Sequence, residues 1–323
     1  MRSTKNKVFN LIPPAMIAMV LMFWAFGPEA LLQNPWTLIA VSPLITVTVL
    51  LLEWINERHA GWRMNKQEFF TDLFYNILIA TVIAWTVQLV AENPLTAAKA
   101  SLGVTTAWAM TLPWILQVVL VIVVHEFGQY WMHRLMHNST PFWLTHAPHH
   151  HITQLNAGKG AVGNPIELVL ISLSAVVLFD LDKTAVFAAF GAQSVITVFA
   201  HANVRADPPI WYSFFFTTIR HHSLHHSTDY EQTRCNYGNA LILLDRIFGT
   251  YREGEGVLVG QDDRKRLTIR EQTLFPFQSM IDAYKTRRAA SGSTGGLPAN
   301  GPLEPCAIPD SDARDSVRST ATA

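Results

Sequence analysis

The sequence predicts an all-α, polytopic membrane protein: four helical spans, then a helical hairpin, with a histidine-rich di-metal cap on the cytosolic side. Three observations point there. Half of the 323 residues are hydrophobic and only 15% are charged, against roughly 25% in soluble proteins. Several stretches of bilayer length carry no charge at all. Of the thirteen histidines, all but His59 fall between His125 and His226.

The first uncharged stretch, Val8–Pro28, follows Arg2, Lys5 and Lys7. A signal peptide starts this way, but Pro13-Pro14 interrupts the run and no small-x-small cleavage site follows Trp24-Ala25-Phe26. We expect an uncleaved, kinked span. Trp36–Leu52, Leu73–Ala91 and Ala100–Val124 give the second, third and fourth spans. Crossing the hydrocarbon core takes about 20 apolar residues as a helix, and lipid leaves the backbone no other partner than itself. Thr184–Ala200 pairs with the shorter Pro165–Phe179, which carries Glu167, as the hairpin.

Orientation follows from basic residues in loops. They gather before the first span and again at Arg58, Arg63 and Lys66, whereas Glu29–Pro35 has none and Glu92–Lys99 has one. The N-terminus, the second loop, the histidine clusters and the C-terminal region are therefore expected in the cytosol, with a bacterial inner membrane favoured over the endoplasmic reticulum. From about Ala289 the chain is rich in Gly, Ser, Pro and Ala and reads as disordered. The expected divisions are 1–71 (first spans and loop), 72–251 (histidine-bearing domain), 252–288 (cytosolic extension) and 289–323 (tail).

Acidic and basic residues balance at 24 each, so no basic field argues for nucleic acid. Cys235 and Cys306 lie in no CxxC motif and cannot make a disulfide framework.

The histidines carry a spacing. His133 and His137 stand at i and i+4, on one helix face. His146, His149 and His150 repeat a His-x-x-His-His pattern found again at His222, His225 and His226, with His201 between the two. Solvated histidines need no repeated spacing, whereas neutral imidazole is a good ligand for iron, zinc or copper. A lone residue such as His59 reads as interfacial packing. Nine candidate ligands are too many for one tetrahedral zinc, which takes four, and suit two ions. No HExxH motif is present, because His125-Glu126 is followed by Phe-Gly-Gln.

Read in order, Tyr130-Trp-Met-His133-Arg-Leu-Met-His137, Phe142-Trp-Leu-Thr-His146-Ala-Pro-His149-His150, Phe199-Ala-His201-Ala-Asn203 and His222-Ser-Leu-His225-His226 resemble the fatty acid hydroxylase / sterol desaturase superfamily of integral-membrane di-iron proteins. Asn236-Tyr-Gly-Asn239 and Leu244-Asp245-Arg-Ile-Phe-Gly-Thr-Tyr251 are similar to its closing signature. The resemblance implies a cap holding two irons and O2-dependent oxidation of an unactivated C–H bond in a lipid. Carried over position by position, the ligands are His133, His137, His146, His149, His150, His201, His222, His225 and His226. His151 and His221 fall outside the patterns, although a one-residue slip would exchange His221 for His222. The segment Asn156–Glu167 departs from the family, lacking its Arg and His, so the substrate does not carry over.

Such chemistry needs a redox metal, which zinc is not, and carboxylates to offset the charge of ions held by neutral rings. Glu126, Asp229 and Asp245, with Asn203 and Asn236 as polar positioners, are the candidates; each also reads as a cap or surface residue. No cytochrome domain is visible, so a separate donor of ferredoxin or cytochrome type is implied. The main expectation is a lipid hydroxylase. A desaturase using the same site, a non-catalytic metal-binding membrane protein and a zinc hydrolase are the alternatives. Trp211, Tyr212 and Phe214-Phe215-Phe216 either line a lipid entrance or form an interfacial aromatic belt.

Overall fold

Uncharged stretches become helices, as lipid requires. The computed structural model describes residues 2–261 and 264–293, and among these it has helices and two isolated β-bridges but no strand. Helix α1 (Arg2–Phe26) runs without a break through Pro13 and Pro14. Helix α2 (Pro35–Ile55) starts where the Asn34 side chain accepts from Trp36 N. Helix α3 (Lys66–Ser101) is a helical run of 36 residues with π-helical turns at Ile79–Ile83 and Gln88–Glu92. Helix α4 (Trp114–Asn138) follows Pro113, and α5 (Thr140–His150) follows at once. Helix α6 (Pro165–Ser172) is capped by Asn164, and α7 (Lys183–His201) by Asp182. Short helices α8 (Ile210–Phe215), α9 (Ile219–His225) and α10 (Ile242–Ile247) complete the cap.

The protein is an integral membrane protein. Among the described residues, four helices are long and apolar enough to cross a membrane: 7–26, α3, α4 and α7. Helix α2 has a shorter apolar run, Ile39–Ile55, and 165–178 forms another. Helix α7 is the axis, packing against α1, α2 and α4. Its small residues Ala185, Ala188, Ala189, Gly191 and Ala192 are buried at these contacts, where they let neighbouring backbones approach.

One expectation moves. The fourth span was read as Ala100–Val124, but the helix begins at Trp114 and runs to Asn138. Gly103, at φ 62°, ends α3, and Leu102, Val104, Trp108 and Met110 remain exposed on the connection. An apolar connection at the interface has the composition of a span.

Cap and helix ends meet on one side. Asn10 Oδ1, near the start of α1, accepts from Asp207 N at 2.8 Å. Arg58, after α2, pairs with Asp207 and Glu255. Asn203 Oδ1 accepts from His59 N at 2.8 Å. At the opposite end Lys99, Thr106 and Asp180 are joined, with Lys99 Nζ 2.6 Å from Asp180 Oδ1. The tail read as disordered from about Ala289 is helical to Ser293, and 294–323 lies outside the described residues.

Candidate metal centre

The nine histidines of the three patterns and His201 are all buried, none more than 7% exposed. They form two groups. His133, His137, His146, His150 and His225 make one; His149, His201, His222 and His226 make the other. Within each group the ligand atoms lie within 4.8 Å of one another. Helical geometry explains the repeated pattern. On a helix, i+4 is turned about 40° from i in one direction and i+3 about 60° in the other, so i+3 and i+4 diverge by about 100°. So His146 and His150 serve the first group while His149 crosses to the second, and His222 and His226 serve the second while His225 crosses to the first.

Hydrogen bonds fix which nitrogen faces inward. A backbone carbonyl only accepts. His133 Nδ1 therefore donates to Tyr237 O at 2.8 Å, and His225 Nδ1 to Cys235 O at 2.7 Å. Burial holds His225 well below its ordinary pKa and His146 down at about 3, so these rings are neutral. With Nδ1 protonated, Nε2 is bare in each ring, yet His133 Nε2 and His225 Nε2 stand 3.0 Å apart. Two inward lone pairs at that distance repel unless a cation lies between them. The remaining inward contacts, His146 to His133 and to His150, and His222 to His201 and to His226, are 2.9 to 3.1 Å. Metal–imidazole bonds are about 2.1 Å, and nitrogens at right angles around such an ion stand about 3.0 Å apart. Both nitrogens of His137 and the Nδ1 atoms of His150, His222 and His226 have no partner among the described residues. The donor set fits metal ions.

The divergent segment 156–167 proves to be the wall of this centre. Val162 O accepts from His149 Nδ1 at 2.6 Å. Glu167 Oε1 lies 2.6 Å from His146 Nδ1, and Glu167 Oε2 accepts from Asn164 N in a capping box. Gly160 lies against His201, where a Cβ would meet the ring at 3.3 Å. Lys159, 1% exposed, pairs with Glu68 and with Asp72, both on α3. Thr197 O, one turn below His201, accepts from its Nδ1 at 2.9 Å. Sequence reasoning saw Glu167 only as a charge in a short apolar segment; its place three residues after Asn164, at a helix start, was the available signal.

The carboxylates and amides expected near the ligands lie one step out. Glu126 Oε2 accepts from Ala240 N and Leu241 N at 2.7 and 3.0 Å, and Gln193 donates to its other oxygen. Asp245 accepts from Tyr237 N and Gly238 N, both at 2.7 Å, and so holds the residue whose carbonyl orients His133. Asn236, at φ 53°, bridges His221 O and Arg252. Asn203 ties the His59 loop to the end of α7 through both faces of its amide. Asp229 caps the short helix Tyr230–Thr233. Of the two histidines outside the patterns, His151 packs on Phe275, and His221 on Tyr251 with Thr218 Oγ1 3.3 Å away. His222 rather than His221 faces the group.

These features define a helical membrane protein with a buried nitrogen-rich site for metal. Residues 118–250 match the family model of the fatty acid hydroxylases. The chain is 30% identical over 220 residues to the ornithine lipid hydroxylase OlsE of Rhizobium tropici, covering 64% of this chain and 65% of that protein. It is 26% identical over 137 residues to a Delta(7)-sterol 5(6)-desaturase of Gibberella zeae, covering 42% of this chain and 41% of that one. Over 140 residues it is 29% identical to the human alkylglycerol monooxygenase, covering 42% of this chain and 31% of that one. The matches thus span less than two thirds of each relative's length. No solved structure matches significantly. The histidine-bearing region belongs to the fatty acid hydroxylase / sterol desaturase superfamily.

Proposed function

We propose that the chain is a membrane-bound oxygenase that hydroxylates an unactivated C–H bond of a lipid, using O2 and electrons from a separate donor. The observation that carries this reading is the pair of adjoining histidine groups, five and four, with their bare nitrogens turned inward. We assign the nine histidines as ligands of two iron ions on the cytosolic face, and 72–251 as the catalytic domain. Bound iron supplies the redox chemistry that zinc lacks. One oxygen atom enters the C–H bond; the other leaves as water, with two electrons and two protons from outside.

The chain's own part is to hold and to exclude. Tyr237, Cys235, Val162 and Thr197 keep one nitrogen of each of four rings protonated and outward. The centre stands at the cap-side ends of α4 and α7, so a chain dissolved in the bilayer reaches it without crossing water. The match to a lipid hydroxylase is the longest of those above and favours hydroxylation over desaturation. The test is labelled oxygen gas with membranes carrying the protein and a reductant system. One labelled atom in a lipid is expected. An unlabelled double bond would make the enzyme a desaturase, and undiminished turnover without oxygen would end the oxygenase reading.

A further inference from the structure

All nine histidines lie within 118–250, the stretch that matches the family model. Part of what holds them lies outside it. Helix α2 packs against α7. Its inner face runs Ile45, Val49 and Glu53, each about one turn after the last and all buried. At the same end Leu51, Trp54 and Ile55 are exposed. A carboxylate thus stands where the buried stripe calls for one more apolar residue, and burying it is costly unless it is hydrogen-bonded.

Glu53 Oε1 accepts from Ala157 N at 2.7 Å and from Asn203 N at 2.9 Å. Ala157 opens the wall loop, whose Gly160 lies against His201 and whose Val162 carbonyl anchors His149. Asn203 stands two residues past His201, at the exit of α7. One oxygen therefore joins the loop behind the His201 ring to the chain that carries that ring. The exit is laced further to the residues after Glu53. Asn203 O accepts from Arg58 N at 2.9 Å, and Asn56 O from Arg205 N at 2.8 Å. The far half of the wall loop is held otherwise. Asn164 Nδ2 donates to Gln272 O and Thr273 O, and Glu167 from that half meets His146 of the five-histidine group. The ligands that the Glu53 half serves, His149 and His201, both belong to the four-histidine group.

We infer that Glu53 is a positioning residue for the ion of the four-histidine group. From a membrane helix outside the family-matched stretch, it fixes the loop behind His149 and His201 against the end of α7. The inference rests on the reading of that group as a metal site. Glu53 touches no ligand and acts through two backbone N–H groups. An amide oxygen can accept the same two bonds, so the acceptor rather than the charge carries the role.

The test titrates the full chain, in detergent and stripped of metal, with cobalt(II), whose absorption reports each ion bound. The wild type should take two equivalents. Glu53→Ala should leave one as tight as before and weaken the other about tenfold or more, the range for losing a residue behind the ligands. Added to His149→Ala, which keeps only the five-histidine group intact, Glu53→Ala should change nothing further. Glu53→Gln should bind both ions as the wild type does. Lys99→Met breaks the ion pair with Asp180 at the opposite end. It should lower the melting temperature and leave both equivalents intact, so lost stability alone does not imitate the effect. If Glu53→Ala does not fold, Glu53→Asp, with its shorter reach, should show a smaller loss in the same equivalent. Two unweakened equivalents in the variant that folds would overturn the inference. So would equal weakening of both, or a further loss in the His149→Ala background. A wild type that binds fewer than two ions would remove the two-metal reading itself, and shows before any Glu53 variant is made.

Discussion

The two histidine groups share α5 and α9, but α4 completes one and α7 the other, and they are anchored differently. In the five-histidine group, two Nδ1 atoms donate to the carbonyls of Tyr237 and Cys235, and that of His146 meets the Glu167 carboxylate. In the four-histidine group the anchors are the carbonyls of Val162 and Thr197, and among the described residues no carboxylate is hydrogen-bonded to a ring. A carboxylate behind an imidazole raises its basicity and offsets part of the ion's charge. The neighbour of the four-histidine group is instead the loop of Lys159, whose charge is balanced by Glu68 and Asp72 on α3. One ion is thus expected to be held by ligand count and charge. The other, with one ligand fewer and neutral anchors, depends on a loop pinned to a membrane helix.

Removing a ligand from either group probes the difference most strongly. His225→Ala and His149→Ala should each abolish turnover. His149→Ala should leave about one metal per chain, because the five-histidine group is intact; His225→Ala should loosen the better-held ion. Metal analysis of the purified variants reads both, and wild-type activity in either would break the assignment.

Next in size is Glu167→Gln, which keeps the side chain's shape and removes its charge. Loss of such a partner typically costs 10–100-fold in metal affinity or activity. Competition with a chelator should show the loss confined to one of the two metals. Equal weakening of both would erase the contrast between the groups.

Lys159→Met tests the other side. It leaves Glu68 and Asp72 buried with one cation fewer, and breaking a buried pair costs about 3–5 kcal/mol. Thermal unfolding should fall accordingly, and metal loss should begin at the four-histidine group. Smallest of all is His59→Ala. Its ring, 23% exposed, pairs with Glu255 at 2.7 Å and belongs to neither group. Stability should fall by no more than about 1 kcal/mol, with metal content unchanged.

Much of this was legible in the sequence because it is written locally. Charge-free runs mark α1, α2, α3 and α7, and the i, i+3, i+4 spacing marks the ligands, since a helix converts spacing into facing. The groups' division was less open, because it depends on which way α5 and α9 are turned towards each other. The start of α4 was missed because residues 102–113 are apolar without being helical throughout. The anchors were hidden for another reason. Tyr237, Cys235, Val162 and Thr197 act through backbone carbonyls, which every residue has, and only the fold says which ones are spare. Glu126 and Asp245 have the residue type expected beside a metal. Yet they spend their oxygens on the backbone N–H groups of 237–241, fixing the loop that in turn fixes His133.

That the two groups hold two metals, and that the metal is iron, is tested most directly by metal analysis with Mössbauer spectroscopy on protein purified after growth on enriched iron. The account predicts two irons per chain, in two environments of unequal ligand number. One iron per chain, or zinc in active protein, would contradict it.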